Sequence, residues 1–301
     1  MRTTSLFLAL LAAACSSAPR PRSPSGDVVL TVRGKVEHGP FLFGAGDLPD
    51  LPRRSFQARP PTTGRTAVFE GLSLAEILSS KLAVQEKADT VVLRSRDGSA
   101  VPVPLVLVKQ WKPILADRAD GRPLAEWAMG VGARVGPLLL AWPNVDNPGL
   151  ATDPRAPAFW AGAVDAVELV VWRQTWGRAL RAPAGAADAA RLGADAFLYQ
   201  CMACHRLRGV GGERGPDLTR GLGGGDPDAF AARIRPHLAS VGRAPASGEG
   251  EGEALGRIAR FLAAVEATAP AQAGAGPKPG EPEEDLEPEE PSPGPPRPRR
   301  R

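Results

Sequence analysis

The chain is poor in cysteine, histidine and methionine, with three of each among its 301 residues. Cys15 lies near the N-terminus, whereas Cys201 and Cys204 are separated by only two residues. A disulfide framework needs more cysteines than this, so a small disulfide-stapled fold is excluded. Gly and Pro are abundant instead, with 34 and 32 residues, which indicates many turns and linkers. The length favours two modest domains with additional segments.

The chain also lacks a long basic run and a long apolar run. Its net charge of +4 comes from 37 basic and 33 acidic residues that are mixed along the sequence. No basic stretch with interleaved aromatic residues occurs in the part expected to fold, so we predict no nucleic-acid partner. The apolar run at residues 6–14 is shorter than the ~20 residues that span a bilayer.

Residues 1–15 have the pattern of a bacterial export signal. Arg2 supplies a positive start, and the apolar run at 6–14 has the length of a signal-peptide core. The run leads directly into Cys15, and this ending resembles a bacterial lipobox, which implies that Cys15 carries a lipid anchor. The alternative is an ordinary secretory signal cleaved near Ala14 or Ala18. Both interpretations place the protein outside the cytoplasm. With the anchor it would sit on the periplasmic side of the inner or outer membrane, on a flexible tether at 16–26.

A five-residue motif contains the other two cysteines: Cys201, Met202, Ala203, Cys204 and His205. This is the attachment motif of c-type haem, because two thiols at this spacing reach two vinyl groups of one porphyrin. The adjacent histidine then binds the iron as axial ligand. A zinc site would need four ligands, and the remaining cysteine and histidines are scattered. A thioredoxin-like pair would follow a strand, whereas the preceding residues have helical spacing. We therefore predict one covalent haem c.

The surroundings of the motif predict helices. An amphipathic segment begins at Arg191, Asp226 and Pro227 have the pattern of a helix start, and apolar residues recur at helical spacing from Leu255. A Gly-rich loop and the sequence Gly-Pro-Asp-Leu at 215–218 follow the motif. Together these features resemble a class I cytochrome c domain over residues 191–268.

The resemblance implies an all-α fold around the haem. Its first and last helices would cross at Phe197 and Phe261. The carbonyl of Pro216 would hold the ring of His205, and Leu218 would pack on the porphyrin.

The sixth ligand of the iron departs from that family. Class I cytochromes supply a methionine downstream, often before a proline, but no methionine follows His205 and Ala244 stands before Pro245. His237 is the remaining histidine of this domain. Three possibilities stay open: His237 binds the iron, the position is vacant or holds water, or another donor such as a lysine binds. A methionine ligand would have to come from Met129 in the other domain.

The pattern of apolar residues and turn signals in residues 27–180 predicts an α+β domain rich in turns. Alternating or continuous apolar residues predict strands at 28–32, 66–69, 90–94, 137–142 and 164–172. Ser73 and Glu76 have the spacing of a capping box that opens a short helix, and Asp97-Gly98 marks a turn. The tryptophans of this region indicate either core packing or an aromatic partner surface; they are Trp111, Trp127, Trp142, Trp160, Trp172 and Trp176.

This order of elements resembles the molybdopterin-binding domain of sulfite oxidase-type enzymes. Residues 69–74, 96–98, 120–124 and 136–140 carry the resemblance, and most are turn or packing positions. That family binds molybdenum through a cysteine thiolate, but this chain has no cysteine between Ala18 and Gln200. We therefore expect no molybdenum.

The remaining segments connect and extend these parts. Residues 181–190 have the composition of a linker, and the Pro-, Glu- and Arg-rich stretch 269–301 that of a disordered tail.

The sequence thus predicts a multi-domain protein: an α+β domain followed by an all-α cytochrome c domain. Its expected function is electron transfer with a redox protein in the periplasm, as a membrane-anchored monohaem cytochrome without catalytic residues. The alternative is an accessory subunit, oxidoreductase or sensor, in which the first domain binds a small substrate or partner and the haem accepts electrons or binds a gas.

Overall fold

The computed structural model of the protein describes residues 23–82, 84–130, 135–153, 155–222, 226–240 and 251–269. The described residues belong to one compact unit and have a mixed α+β architecture. The predicted export signal with Cys15, most of the tether, the Ala244 position and the tail from 270 onward lie outside the described residues.

The described part of the chain alternates short strands and helices before ending in longer helices. In chain order the strands are β1 (Val28–Gly34), β2 (Phe41–Gly44), β3 (Arg53–Ala58), β4 (Ala67–Ser73), β5 (Thr90–Ser95), β6 (Ala100–Pro104), β7 (Ile114–Ala119), β8 (Arg122–Pro123), β9 (Leu139–Ala141), β10 (Val164–Val170), β11 (Arg206–Leu207) and β12 (Val210–Gly211). The α-helices are α1 (Leu74–Glu76), α2 (Leu105–Trp111), α3 (Leu124–Gly130), α4 (Pro148–Thr152), α5 (Trp176–Ala179), α6 (Asp188–Gln200), α7 (Pro227–Ser240) and α8 (Glu251–Ala267).

The first sheet has the strand order β2-β1-β10-β5-β6. Strands β1 and β10 pair in parallel, and the other neighbours are antiparallel. The alternation predicted for β1 is confirmed at Leu30 and Val32, which are each 1% exposed between half-buried or exposed neighbours, whereas Val28 at the start of the strand is exposed. The turn predicted at Asp97-Gly98 joins β5 to β6, and Gly98 adopts a φ of +85° there.

A second sheet has the order β3-β4-β7-β8, with β9 also paired to β7. Helix α3 covers it, and Trp127 meets Phe69 edge-on with ring centres 5.2 Å apart. Trp127, Trp142 and Trp176 are buried, and the other three tryptophans pack against the cores. The core-packing interpretation of the tryptophans is therefore confirmed.

The capping box predicted at Ser73 is wrong. Its side chain makes no capping bond, and the buried hydroxyl has no hydrogen-bond partner among the described residues. The reason is that β4 continues through Ser73, whose backbone N–H donates to the carbonyl of Pro52 at 2.7 Å. Pairing within the sheet thus prevails over the local helix signal. Helix α1 has three residues and continues as a π-helical segment, Ile77–Lys81.

Residues 188–267 contribute three longer helices and the small β11–β12 hairpin. Helices α6 and α8 cross where Gly193 meets the backbone of Arg257, since a Cβ on Gly193 would come within 2.1 Å of that carbonyl oxygen. Phe197 and Phe261 lie at this crossing with ring centres 5.9 Å apart, as the resemblance implied. The start predicted for α7 is confirmed, because the Asp226 carboxylate accepts the backbone N–H groups of the two residues after Pro227. Helix α6 begins within the segment expected to be a linker.

The helical part packs directly on the first sheet. Val92 and Ala100 of the sheet share one core with Met202 of the motif and with Phe197 and other residues of α6 and α8. Backbone hydrogen bonds reinforce this contact, because the N–H of Ala100 donates to the carbonyl of Ala203 at 2.8 Å. The attachment motif therefore rests against the edge strand β6.

Candidate functional site

The predicted attachment motif forms a helical turn at the end of α6. The N–H groups of Cys201 and Met202 both donate to the carbonyl of Phe197, at 2.9 and 3.1 Å. The N–H of His205 donates to the carbonyl of Cys201 at 3.0 Å. Cys201 is buried, while Cys204 and His205 are partly exposed. One turn therefore carries both thiols and the imidazole.

The ring of His205 is held by the loop that follows the motif. Its Nδ1 lies 3.0 Å from the carbonyl oxygen of Pro216, the contact that the resemblance implied. Because a carbonyl can only accept, Nδ1 carries the hydrogen and the neutral ring keeps its lone pair on Nε2. Burial lowers the pKa of His205 from its ordinary value, the bond to Pro216 raises it, and nearby His237 lowers it; the net direction is downward. The ring is thus neutral near pH 7 and able to bind a metal through Nε2.

Gly215 allows this close approach of loop and imidazole. A Cβ at that position would lie 2.3 Å from Cε1 and 2.5 Å from Nδ1 of His205. The N–H of Gly215 also donates to the carbonyl of Cys204 at 2.8 Å, which fixes the glycine against the motif. The ring therefore lies in a slot that no larger residue would leave open.

Asp217 stiffens the same loop. Its carboxylate accepts the N–H of Gly209 at 2.9 Å and that of Thr219 at 2.8 Å, together with the Thr219 hydroxyl. Burial raises the pKa of Asp217, but these hydrogen bonds outweigh burial and the pKa lies below its ordinary value. The carboxylate therefore ties the β11–β12 turn to the segment carrying Pro216.

A cavity of about 480 Å³ opens beside the motif. Its volume falls in the range of ~300–1,000 Å³ that holds cofactors and other small molecules. The walls are mainly apolar and come from three places: Leu218 of the loop, one face of α7, and Ile258 and Leu262 of α8. Leu218 was assigned to the haem from the sequence, whereas the walls from α7 and α8 were not, although the helical spacing of Ile258 and Leu262 had predicted α8 itself.

The structure brings together all the predicted site residues that it describes. They line this one cavity: Cys201, Cys204, His205, Pro216, Leu218 and His237. The rings of His205 and His237 meet edge-on, with centres 6.0 Å apart and planes inclined by 66°. Met202 is buried in the core and Met129 is 75% exposed on α3, and neither lines the cavity. Cys15, the predicted lipidation site, lies outside the described residues.

These residues fit a covalently attached porphyrin. One helical turn carries the two thiols and an imidazole with an available Nε2, and the adjacent cavity is mainly apolar. Among the described residues, no group of three or more His, Cys, Asp or Glu side chains is placed to hold a metal ion. A haem does not require such a group, because the porphyrin supplies four nitrogens and the protein only the axial ligands.

Within the described ranges, no helix has the length and apolarity needed to cross a membrane.

Comparison with known proteins gave few matches. No family model matches the chain, and no curated protein matches it in sequence. Among solved structures 18 chains match, one of which is the sulfane dehydrogenase SoxCD from Paracoccus pantotrophus. That match has 17% identity and a TM-score of 0.37, and it covers 48% of this chain and 38% of that one. At such a score the likeness carries no argument about function.

Proposed function

We propose that the protein is a monohaem c-type cytochrome that transfers electrons. The observation that carries the proposal is the turn formed by residues 201–205. It presents two thiols and an imidazole to one apolar cavity, and the imidazole is oriented by the carbonyl of Pro216. A haem bound there supplies a one-electron change between ferrous and ferric iron.

The protein residues have distinct roles in this proposal. Cys201 and Cys204 form the thioether bonds, and His205 binds the iron through Nε2. Pro216 accepts the Nδ1 hydrogen, which fixes the ring orientation and makes the ligand more basic. Leu218 and the apolar residues of α7 and α8 exclude water from the porphyrin faces.

We assign residues 191–268 to a class I type of cytochrome c domain. The crossing of α6 and α8 at Phe197 and Phe261 supports this assignment, as does the bond between His205 and Pro216. For the preceding part we propose a molybdopterin-type domain that holds no molybdenum, since no cysteine lies between Ala18 and Gln200.

The proposal includes a location and a partner. The run at 6–14 that ends at Cys15 supports export and lipidation, and hence a tethered protein on the periplasmic side. A tether confines the haem near the membrane and raises its effective concentration toward a redox protein held there.

Haem attachment is tested in the full chain, expressed with a c-type haem maturation system. We expect one haem per chain that survives denaturation and stains in a denaturing gel. The double variant Cys201→Ala, Cys204→Ala should lose the stain, because only the thioethers survive unfolding. Cys15→Ala is the matched control and should keep it. Staining of the double variant, or an unstained native protein, would contradict the proposal.

Lipidation is tested separately by fractionation and mass spectrometry of the mature N-terminus. We expect an acylated Cys15 and a protein that partitions with membranes, whereas Cys15→Ala should not partition. An unmodified N-terminus at Ser16 or Pro19 would show plain secretion instead, and would leave the haem assignment intact.

A further inference from the structure

We propose that His237 is the sixth ligand of the iron, opposite His205, so that two imidazoles hold the haem. This inference rests on the proposed function, because it requires a haem attached at Cys201 and Cys204. The sequence alone left this position open among a histidine, a vacant or water-filled site and another donor.

The first support is the position of His237 on α7. Phe230, Ile234, His237 and Leu238 follow one another at helical spacing, and all four line the cavity. His237 is an exposed residue of this helix, and the face it shares with those apolar residues is the one turned to the cavity. Arg233 of the same helix also lines the cavity, but a guanidinium stays protonated and has no lone pair for a metal. His237 is therefore the nitrogen ligand that this face of α7 offers.

The second support is the separation of the two rings. Their centres lie 6.0 Å apart. Metal–imidazole bonds are about 2.0–2.1 Å, and adding about 1.1 Å from each nitrogen to its ring centre gives ~6.3 Å for a linear His–metal–His unit. A direct nitrogen–nitrogen hydrogen bond of about 2.9 Å would place the centres only ~5 Å apart. The observed separation is longer than that of a direct hydrogen bond and close to that of a His–metal–His unit.

The third support is the lack of an alternative ligand for the iron in this segment. Residues 206–269 contain no Met, Cys, Lys or Tyr. The positions of this segment that the structure does not describe therefore add no such donor. Met129 is exposed on α3 and Met202 is buried in the core, away from the cavity lining. His237 is thus the one imidazole or sulfur donor of the segment beyond the attachment motif.

Ligation by two histidines has a functional consequence. An iron held by two imidazoles would bind gases only slowly, after one imidazole dissociates, and would stay low-spin in both oxidation states. It should also have a lower reduction potential than a Met/His relative, because methionine ligation raises the potential. This favours an electron carrier over a gas sensor or an enzyme that binds substrate at the iron.

The test compares the full-length protein with His237→Asn and with His38→Asn as matched control. His38 is exposed in the connection between β1 and β2 with a φ of +56°, a conformation that asparagine tolerates. The measurements are the ferric absorption and electron paramagnetic resonance spectra and the rate of carbon monoxide binding to the ferrous form.

We expect low-spin spectra and slow carbon monoxide binding in the native protein and in His38→Asn. His237→Asn should become high-spin and bind carbon monoxide more than about tenfold faster, because the fraction of iron with an open position limits the native rate. Added imidazole should restore the low-spin spectrum of His237→Asn, which separates ligand loss from misfolding.

Rapid carbon monoxide binding by the native protein, or spectra unchanged in His237→Asn, would overturn His237 ligation. Denaturing-gel staining distinguishes that result from failure of the proposed function. Stained bands in all three proteins leave the cytochrome proposal standing, whereas an unstained native protein removes both.

Discussion

Gly215→Ala is the substitution for which the structure gives the sharpest geometric expectation. The added methyl carbon would lie 2.3 Å from Cε1 and 2.5 Å from Nδ1 of His205, whereas non-bonded carbons settle at about 3.5–4.0 Å. Either the ring or the loop must move by about 1 Å or more. The loop cannot retreat freely, because the N–H of Gly215 is bonded to the carbonyl of Cys204 at 2.8 Å.

The expected cost follows from these contacts. Displacing the ring breaks the bond between Nδ1 and the carbonyl of Pro216, a loss of about 1 kcal/mol, and overpacking adds about 1–3 kcal/mol. We therefore expect Gly215→Ala to lower the free energy of unfolding by about 2–4 kcal/mol. Because His205 shifts, the axial ligation of the haem should also change, visible as a change in the ferric spectrum.

Urea unfolding followed by circular dichroism measures this difference. Gly149→Ala is the matched control, since a Cβ there meets nothing within 4 Å and the residue lies in helix α4. That control should be unchanged or stabilised by up to about 1 kcal/mol. If Gly215→Ala unfolds within about 0.5 kcal/mol of the native protein and keeps its spectrum, the reasoning about the slot is refuted.

Three further predictions concern the surroundings of the site. Gly98→Ala should lower the free energy of unfolding by more than Gly121→Ala does. Both glycines have a similar positive φ, so backbone strain of about 1–2 kcal/mol is common to the two variants. A Cβ at Gly121 meets nothing within 4 Å, whereas a Cβ at Gly98 would lie only 3.1 Å from the loop after β12. Equal urea midpoints would contradict this. Asp217→Asn should cost about 1–2 kcal/mol at pH 7 through weakened hydrogen bonds. The folded pKa of Asp217 lies below its ordinary value of 3.8, so the carboxylate stabilises the fold above pH 3.8 and loses this effect as pH falls through the folded pKa. The difference in free energy of unfolding between the two proteins, measured in urea, should therefore shrink in acid. A difference independent of pH would contradict this. Elemental analysis of the purified protein should find no stoichiometric molybdenum, since no thiolate lies between Cys15 and Cys201 to bind it.

The elements that the sequence predicted well have strong periodic patterns. Strand β1 alternates, β5 contains the apolar run Val91-Val92-Leu93, and five of the seven residues of β10 are apolar. Helix α8 repeats its apolar residues at helical spacing. The start of α7 was predictable because Asp226 before Pro227 is a local capping signal with a local outcome. In each of these cases the tertiary environment agrees with the local pattern.

Other elements were out of reach because their patterns are ambiguous or overruled. Residues 101–108 form a short apolar run that fits either strand or buried helix, and the chain in fact changes from β6 to α2 at Pro104. Ser73 carries a helix-start signal, yet the pairing of β4 with β7 extends through it, with Ser73 opposite Ile114. Register between strands depends on partners distant in sequence, which no local spacing contains.

The candidate site divides in the same way. The chemistry of the motif is local, so residues 201–205 could be assigned from their spacing alone. The slot at Gly215, the apolar walls from α7 and α8, and the 6.0 Å between His205 and His237 depend on how separate segments pack. Only the structure could therefore turn the three possibilities for the sixth ligand into one proposal.

The contact between sheet and motif shows what the first part of the chain contributes to the site. The N–H of Ala100 donates to the carbonyl of Ala203 within the motif, and the N–H of Glu213 donates to the carbonyl of Gly98 from the loop that leads to Gly215. One hairpin, β5–β6, thus holds both segments that enclose the ring of His205. Ala100 and Ala203 are 0% and 4% exposed, so breaking their bond would leave buried polar groups unpaired at about 1–3 kcal/mol. The position of the imidazole is therefore fixed by the sheet as well as by the helical segment. The sheet-rich part has a structural role at this site that requires no metal of its own.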